Sequence, residues 1–231
     1  YIRKVFSQKG LCSPIPTPSM DNGCCYCFVE DCGERTFISY HGAEYLIHKE
    51  WLDTIDMSEF SCVYICGLEI EEKTGLDIVE FLCDNKGVPI FFAPGPRINR
   101  IDSQLLDKLF QLHPIVHLNE DEAFDYTHEK DVTSAAKALY EKTKNTVVIT
   151  AGDKGAYCFD GNGLLYALPY PVEKVVDTIG AGDSHIGALM ACLCRGDTLQ
   201  TAAETANKVA AAVVSTKGAL LEKANFAEIF R

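Results

Sequence analysis

The middle of the chain alternates short, continuously apolar runs with longer stretches of helical spacing. Four runs have the pattern of strands buried on both faces. They cover residues 60–67, 88–93, 114–119 and 145–150. Stretches whose apolar residues recur at helical spacing lie between or beside them, at 71–87, 102–112, 119–127 and 135–142. This alternation predicts an α/β fold, in which a mostly parallel sheet is covered by helices on both faces.

The beginning of the chain has a different pattern. A proline-rich connector at 13–20 precedes two short runs of strand-forming residues, 24–30 and 35–40. The segment between them is rich in turn-forming residues, so a β-hairpin is expected here.

The last third of the chain starts with a second hairpin signal. Residues 155–160 and 163–170 are strand-like and are separated by a Gly-Asn-Gly turn, which predicts a hairpin at the sheet edge. Two alanine-rich helices, at 181–195 and 198–215, are expected to follow.

Charge narrows the range of partners. The 231 residues contain 33 Asp and Glu against 21 Lys and Arg, a formal net charge of −12. Such a chain repels phosphate backbones and anionic lipid, so neither nucleic acid nor a membrane surface is expected as a partner. An anionic ligand would need a local positive pocket or a metal ion.

Two further features concern location. The eleven cysteines are odd in number and lie mostly in apolar runs, where cysteine acts as a small hydrophobic residue. No apolar run approaches the roughly 20 residues of a membrane span. Together they predict a cytoplasmic protein with reduced thiols.

The strongest chemical signal lies at 175–193, where a short predicted strand runs into Gly180-Ala181-Gly182-Asp183 and then a helix. Such a loop turns backbone N–H groups toward a ligand, and the helix N-terminus adds partial positive charge. A phosphate suits this place. Asp183 would repel it, which makes sense if Asp183 is a base for a hydroxyl that attacks a phosphoryl group. The alternative is that Asp183 only caps the helix.

Two common phosphate-binding motifs are absent at this position. The pattern GxGxxG fails because its final position is His185, and GxxxxGK[ST] occurs nowhere in the chain. A bound phosphate would therefore need a different device.

The segment DTIGAGDS, residues 177–184, resembles the C-terminal signature of the ribokinase-like (PfkB) carbohydrate kinases. Four other segments resemble family landmarks in order and spacing. They are FFAPGPR at 91–97, NEDEA at 119–123, VVITAGDKGA at 147–156 and TANKVAAAVVSTKGA at 205–219. The resemblance covers roughly residues 24–220.

The resemblance implies a ribokinase-like fold with a small β lid. Residues 1–50 would form the lid and connecting strands, and 51–231 the nucleotide-binding and catalytic core. The family's first segment has no counterpart, so part of the acceptor site is expected to be missing. Ala93 stands where relatives often have Asp, and His185 where Phe is common.

The resemblance also assigns roles around the phosphate. Asp183 would be the catalytic base, and the N–H groups of Gly180, Ala181 and Gly182 would form the anion hole. The residues expected to bind ATP are Thr150, Gly152, Gly155, Asn207 and Gly218.

Metal and acceptor contacts are implied in the same way. Asn119 and Glu122 would organise Mg²⁺, largely through water, although the same pair is also an ordinary helix cap. Carbonyl groups around Asp177, Ile179 and Gly218 lie where relatives hold a monovalent cation, usually K⁺. His41 would contact the substrate from the lid.

The implied reaction is transfer of the ATP γ-phosphate to a hydroxymethyl group of a sugar or nucleoside. A homodimer paired through the lid is also implied. Two alternatives stay open at this point. One is a kinase for a vitamin-like alcohol from a lidless branch of the fold, and the other is a non-catalytic nucleotide-binding regulatory module.

Overall fold

The structure is a computed structural model that describes residues 1–13, 15, 18–29 and 35–221. Their contacts divide the chain into two compact units. The first contains residues 1–60 and 68–86, and the second contains 61–67 and the described chain from residue 87 onward. The expected functional division after residue 50 concerns lid and core, and it stays a prediction.

The first unit contains the predicted hairpin. Strands β1 (Cys24–Val29) and β2 (Arg35–Tyr40) pair antiparallel, with Cys24 opposite Tyr40. The turn that was expected between them, at 31–34, lies outside the described residues. The helices of the first unit are α1 (Ile2–Gln8), α2 (Lys49–Leu52), α3 (Gly67–Glu71), whose first residue belongs to the second unit, and α4 (Gly75–Asp84).

One carboxylate closes the open end of the hairpin. Glu44 accepts the N–H groups of Gly23 at 2.6 Å and Gly42 at 3.0 Å, the residues just before β1 and just after β2. A Cβ at Gly23 would lie 2.1 Å from the Tyr40 carbonyl oxygen, so the two chains approach too closely there for a larger residue. The predicted hairpin is therefore confirmed, while its function as a lid stays a prediction.

The second unit contains a six-stranded sheet in the order β3-β4-β5-β6-β7-β8. The strands are β3 (Val63–Cys66), β4 (Ile90–Ala93), β5 (Ile115–Asn119), β6 (Val147–Thr150), β7 (Ala156–Phe159) and β8 (Leu164–Ala167). The first four are parallel, and β7 and β8 form the predicted antiparallel edge hairpin.

The helices of this unit are α5 (Ser103–Phe110), α6 (Glu120–Thr127), α7 (Val132–Thr143), α8 (Ala181–Arg195) and α9 (Leu199–Val214). They cover both faces of the sheet. On one face, Leu189 of α8 and Ala203 of α9 belong to the same buried cluster as Val148 of β6. On the other face, Tyr140 of α7 meets Phe159 at a ring distance of 5.2 Å. The predicted α/β fold is confirmed.

The alanines of α9 explain why two helices fit on this face. Ala202, Ala203 and Ala206 are fully buried and belong to the cluster with the cysteines of β7 and α8. Because small side chains let helix backbones approach closely, α8 and α9 can both pack against β6 to β8 with the density of a protein interior.

Two sequence predictions are wrong in detail. No strand precedes Gly180, because the N–H groups of Val176 and Asp177 donate to the carbonyl of Val214 at the end of α9 and not to a neighbouring strand. The helix expected over 71–87 is also broken, since α3 ends at Glu71 and α4 begins at Gly75. A Cβ at Gly75 would lie 2.3 Å from the Ile70 carbonyl oxygen, so the chain folds back tightly at that point.

Within the ranges that the structure describes, the helices are too short or too polar for one of them to cross a membrane.

Candidate active site

The residue directly before α8, Gly180, must be glycine. Gly180 is the N-cap of the helix with φ of +80°, a left-handed conformation that favours glycine. A Cβ there would also lie 2.6 Å from the Cβ of Ala219. The Ala181 N–H donates to the Thr178 carbonyl at 3.3 Å, whereas in the described chain the N–H groups of Gly180 and Gly182 have no acceptor. Two such donors at the start of a helix suit an anion. The predicted anion hole stays a prediction.

Asp183 is the third residue of α8, and its side chain is exposed. Within the described residues its carboxylate has no hydrogen-bond or ion-pair partner. It makes no capping bond to the N-cap residue Gly180. The carboxylate thus lies at the start of α8 beside the N–H groups of Gly180 and Gly182, and its catalytic role stays a prediction.

A cavity of about 510 Å³ opens beside this loop. It brings together six of the predicted site residues. They are Thr150, Gly152, Gly155, Ala181, Gly182 and Asn207. Much of the remaining wall is apolar, with Val172 and Val175 from the segment before α8 and Ala210, Ala211 and Val214 from α9. This is the mixture of apolar wall and a few polar groups that ligand sites have.

The turn after β6 gives the cavity another wall. Gly155 has φ of +92°, and a Cβ there would lie 2.3 Å from the Ala167 carbonyl oxygen. The Ala151 N–H donates to the Gly155 carbonyl at 2.8 Å, which closes the turn. The glycine is therefore required by the close approach of the turn to the end of β8.

A buried chain of three polar side chains reaches the cavity wall through His185 and Asn207. His117 Nε2 is 2.9 Å from His185 Nδ1, and His185 Nε2 is 3.1 Å from Asn207 Oδ1. The Asn207 amide nitrogen donates to the carbonyls of Ala167 at 3.1 Å and Leu168 at 2.8 Å. The chain links β5, α8 and α9 to the end of β8.

Both donors of the Asn207 amide are used, so its oxygen must be the acceptor for His185. His185 then carries its proton on Nε2 and accepts on Nδ1, which requires His117 to donate from Nε2. Burial lowers the pKa of His185 to about 4, although the Asn207 bond opposes the shift. Burial, followed by the neighbouring His185, holds the pKa of His117 well below its usual value. Both rings are therefore neutral near pH 7.

Asn119 and Glu122 form a reciprocal helix cap. Asn119 Oδ1 accepts the Glu122 N–H at 2.8 Å, and Glu122 Oε2 accepts the Asn119 N–H at 3.0 Å. The capping interpretation is confirmed, and the Mg²⁺ role stays a prediction. Burial raises the pKa of the Glu122 carboxyl, although the Asn119 N–H opposes this.

The cap lies next to a residue of the cavity wall. Asn119 ends β5 directly opposite Thr150 at the end of β6, so the cap and the nucleotide wall are neighbours in the sheet. No group of three or more His, Cys, Asp or Glu suited to a metal occurs among the described residues. Mg²⁺ commonly keeps several water ligands and binds through one or two carboxylates and the phosphates of a substrate.

The residues expected around a monovalent cation meet through one side chain. Asp177 accepts the Ile179 N–H at 3.0 Å on Oδ1 and the Gly218 N–H at 3.2 Å on Oδ2. His41 belongs to the first unit, where its ring centroid lies 3.6 Å from that of Tyr45, with the two rings tilted at 41°. Its substrate contact stays a prediction.

Comparison with known proteins decides the family. Residues 2–224 match the sequence profile described as pfkB family carbohydrate kinase. The chain belongs to this family.

The relatives of this pfkB chain include an uncharacterized sugar kinase, YegV, of Escherichia coli K12. It is 35% identical over 223 residues, which make up 94% of this chain and 68% of that protein. The ribokinase of Schizosaccharomyces pombe is 28% identical over 83% of this chain and 61% of its own length. The chain thus spans about two thirds of these relatives. The predicted family and the carbohydrate-kinase class are confirmed.

Solved structures agree on the fold. The ribokinase of Thermotoga maritima superposes with a TM-score of 0.80 at 22% identity, covering 99% of this chain and 76% of that one. The ribokinase of Giardia lamblia gives a TM-score of 0.82 at 22% identity, over 98% of this chain and 78% of that one. The fold is ribokinase-like.

Sequence analysis overlooked His117 and did not connect it with His185. The signal that could have found it is a histidine inside the continuously apolar run 114–119, since buried polar side chains almost always have partners. Its partner lies 68 residues away, a pairing that spacing alone does not show.

The histidine chain makes the pfkB kinase sensitive to acid. Because the folded pKa of His185 is about 4 and the unfolded value about 6.5, the unfolded chain binds more protons between these pH values. Stability should therefore fall as the pH drops from 6.5 to 4, by on the order of 3 kcal/mol for this residue. Urea unfolding across this pH range measures it.

The matched variant is His185→Gln, whose amide can donate to Asn207 and accept from His117 without titrating. It should show a shallower loss of stability with acid than the natural chain. Identical pH profiles for the two proteins would mean that His185 does not titrate as described.

Proposed function

We propose that this chain transfers the γ-phosphate of ATP to a hydroxymethyl group of a sugar, with Asp183 as the base. The observation that carries the proposal is the cavity that joins the α8 N-terminus to the turn at Thr150–Gly155, with the unpartnered Asp183 carboxylate beside it. Relatives named sugar kinase, ribokinase and ketohexokinase support a sugar as the acceptor.

In this proposal the residues of the chain divide the work. Asp183 takes the proton from the acceptor hydroxyl as that oxygen attacks the γ-phosphorus. The N–H groups of Gly180 and Gly182, with the helix dipole, stabilise the charge on the transferring group. Mg²⁺, when bound, would be held near Asn119 and Glu122 through water and would offset the charge of the triphosphate.

A nucleoside is the second candidate acceptor. A cytidine kinase of Thermococcus kodakarensis is 36% identical over 117 residues, which are half of this chain and 42% of that protein. ADP release measured with sugars, sugar phosphates and nucleosides separates the two acceptor classes.

The regulatory alternative is disfavoured, because a module without turnover has no use for an exposed carboxylate at the anion site.

We also propose that K⁺ binds in the loop of Asp177, Ile179 and Gly218. The support is the Asp177 carboxylate, which joins Ile179 and Gly218 and fixes the course of the backbone beside Gly180. ADP release with K⁺ against a bulky organic cation tests this.

The cytoplasmic location stays a prediction that rests on the cysteine pattern.

Replacing Asp183 by Asn should lower kcat at least ~10²-fold, the range expected for loss of a general base. ATP binding should persist, because the anion site is made of backbone groups and helix dipole. Acceptor-dependent ADP release and ATP titration calorimetry measure the two effects. Asp125→Asn, at an exposed acid of α6, is the control and should keep full activity. Unchanged kcat in Asp183→Asn would refute the role of the base.

Replacing Glu122 by Gln separates the cap from the metal. Gln can accept the Asn119 N–H in a capping box, so the free energy of unfolding should change by less than about 0.5 kcal/mol. If Glu122 organises Mg²⁺ through water, the Mg²⁺ concentration that gives half-maximal activity should rise at least about tenfold. Equal Mg²⁺ requirements in both proteins would leave Glu122 with a capping role alone.

The hairpin of the first unit supports a homodimer, which we propose as the assembly. Tyr26, Ile38 and Tyr40 share one face of the ribbon and are 59% to 72% exposed. A two-stranded ribbon is at best marginally stable alone, and exposed apolar patches of this kind mark contact surfaces.

Ile38→Asp should therefore convert a dimer into a monomer, because a charge would be buried in the contact without a partner. Sedimentation velocity at micromolar concentration measures this. Ser39→Asp, on the opposite face of the ribbon, is the control and should stay dimeric. A natural chain that sediments as a monomer would exclude the proposed assembly.

A further inference from the structure

Two polar side chains in the cavity wall are buried, Asn207 at 8% exposure and His185 at 2%. Asn207 has two N–H donors, and both are used by the carbonyls of Ala167 and Leu168. Its oxygen accepts the hydrogen bond of the His185 Nε2–H group, and the other ring nitrogen of His185 accepts one from the His117 Nε2–H group. Every donor of this buried pair therefore already has an acceptor within the protein.

The other side chains of the wall offer the edge of a nucleobase few buried partners, because the Tyr170 side chain is half exposed. Pro169 and Pro171 have no N–H group to donate. Thr150 Oγ1 donates to the Leu118 carbonyl at 3.4 Å. Asp153 and Thr178, which also line the cavity, are exposed, so water competes with a base for them.

We propose that this cavity selects the triphosphate and not the nucleobase, so that purine and pyrimidine nucleoside triphosphates all serve as phosphate donors. The proposal rests on the proposed kinase function. Asn207, which sequence analysis assigned to ATP binding, is then a positioning residue: it holds the wall formed by α8, α9 and the end of β8 and does not read the base.

The size of the expected discrimination follows from the chemistry. A site built to hydrogen-bond a group rejects an analogue that lacks it by about 10⁴-fold to 10⁵-fold, because buried partners are then left unpaired. A wall that makes apolar contact distinguishes similar shapes by about 10²-fold or less. Because adenine and guanine bury similar areas, ATP and GTP should differ by less than about tenfold, and CTP and UTP should lie within about 10²-fold of ATP.

Calorimetric titration of the full chain with the Mg²⁺ complexes of ATP, GTP, CTP and UTP tests this before any acceptor is known. Dissociation constants for ATP and GTP within about tenfold, and for all four within about 10²-fold, are the expected result. ATP binding more than about 10³-fold tighter than GTP would overturn the inference and leave the kinase function standing. Absence of binding by all four would overturn the kinase function, and with it the inference.

Variants separate positioning from base reading. Asn207→Leu should weaken all four nucleotides by a similar factor, so the ratio of ATP to GTP affinity should change by less than about threefold. His185→Gln, which preserves the pairing, should leave the ratio of ATP to GTP affinity unchanged. An affinity ratio that moves about tenfold or more in Asn207→Leu would show that Asn207 reads the base. Asp153→Asn applies the same criterion to the exposed acid of the wall.

Discussion

The placement of α8 depends on one buried polar chain that must be completely paired. His117 on β5, His185 on α8 and Asn207 on α9 each bury their polar atoms, and an unpaired buried polar group costs about 1–3 kcal/mol. The pairing is satisfied only when both helices and the end of β8 hold their observed positions. Since Gly180 and Asp183 lie at the start of the same helix, this internal chain also fixes the place where the anion site is proposed.

The candidate site combines the buried polar chain with backbone N–H groups and one carboxylate at the start of α8. In the proposed reaction, backbone N–H groups of the Gly180 loop hold the negative charge of the phosphoryl group, and Asp183 beside them is the base. The cap formed by Asn119 and Glu122 lies at the neighbouring strand end, where a metal bound through water could approach the phosphates. A kinase of the pfkB family needs little more, because phosphoryl transfer is largely positioning and electrostatic stabilisation.

Much of the fold could be predicted from the sequence because it is recorded in local patterns. Continuous apolar runs indicated the buried parallel strands, and alternating runs around turn residues indicated both hairpins. The strand expected before Gly180 does not form, since pairing with Val214 is a tertiary contact that no local pattern encodes. The break between α3 and α4 depends in the same way on how closely Gly75 approaches Ile70.

The site was predictable where it is made of glycines and less so where it is made of partners. The turn at Gly155 and the loop at Gly180 could be predicted because glycine is needed where the backbone turns tightly, and both glycines are visible in the sequence. The histidine pair and the hydrogen bonds that use every polar atom of the Asn207 side chain join groups far apart in sequence. For Glu122, spacing alone could not decide between a helix cap and a metal ligand.

A crystal structure of the full chain with Mg²⁺ and a non-hydrolysable ATP analogue tests the central claim most directly. The account predicts the triphosphate at the N–H groups of Gly180 and Gly182, with its terminal phosphate toward Asp183 and its base against the apolar wall formed by Ala210 and Val214. A nucleotide bound elsewhere, with this cavity empty, would contradict it.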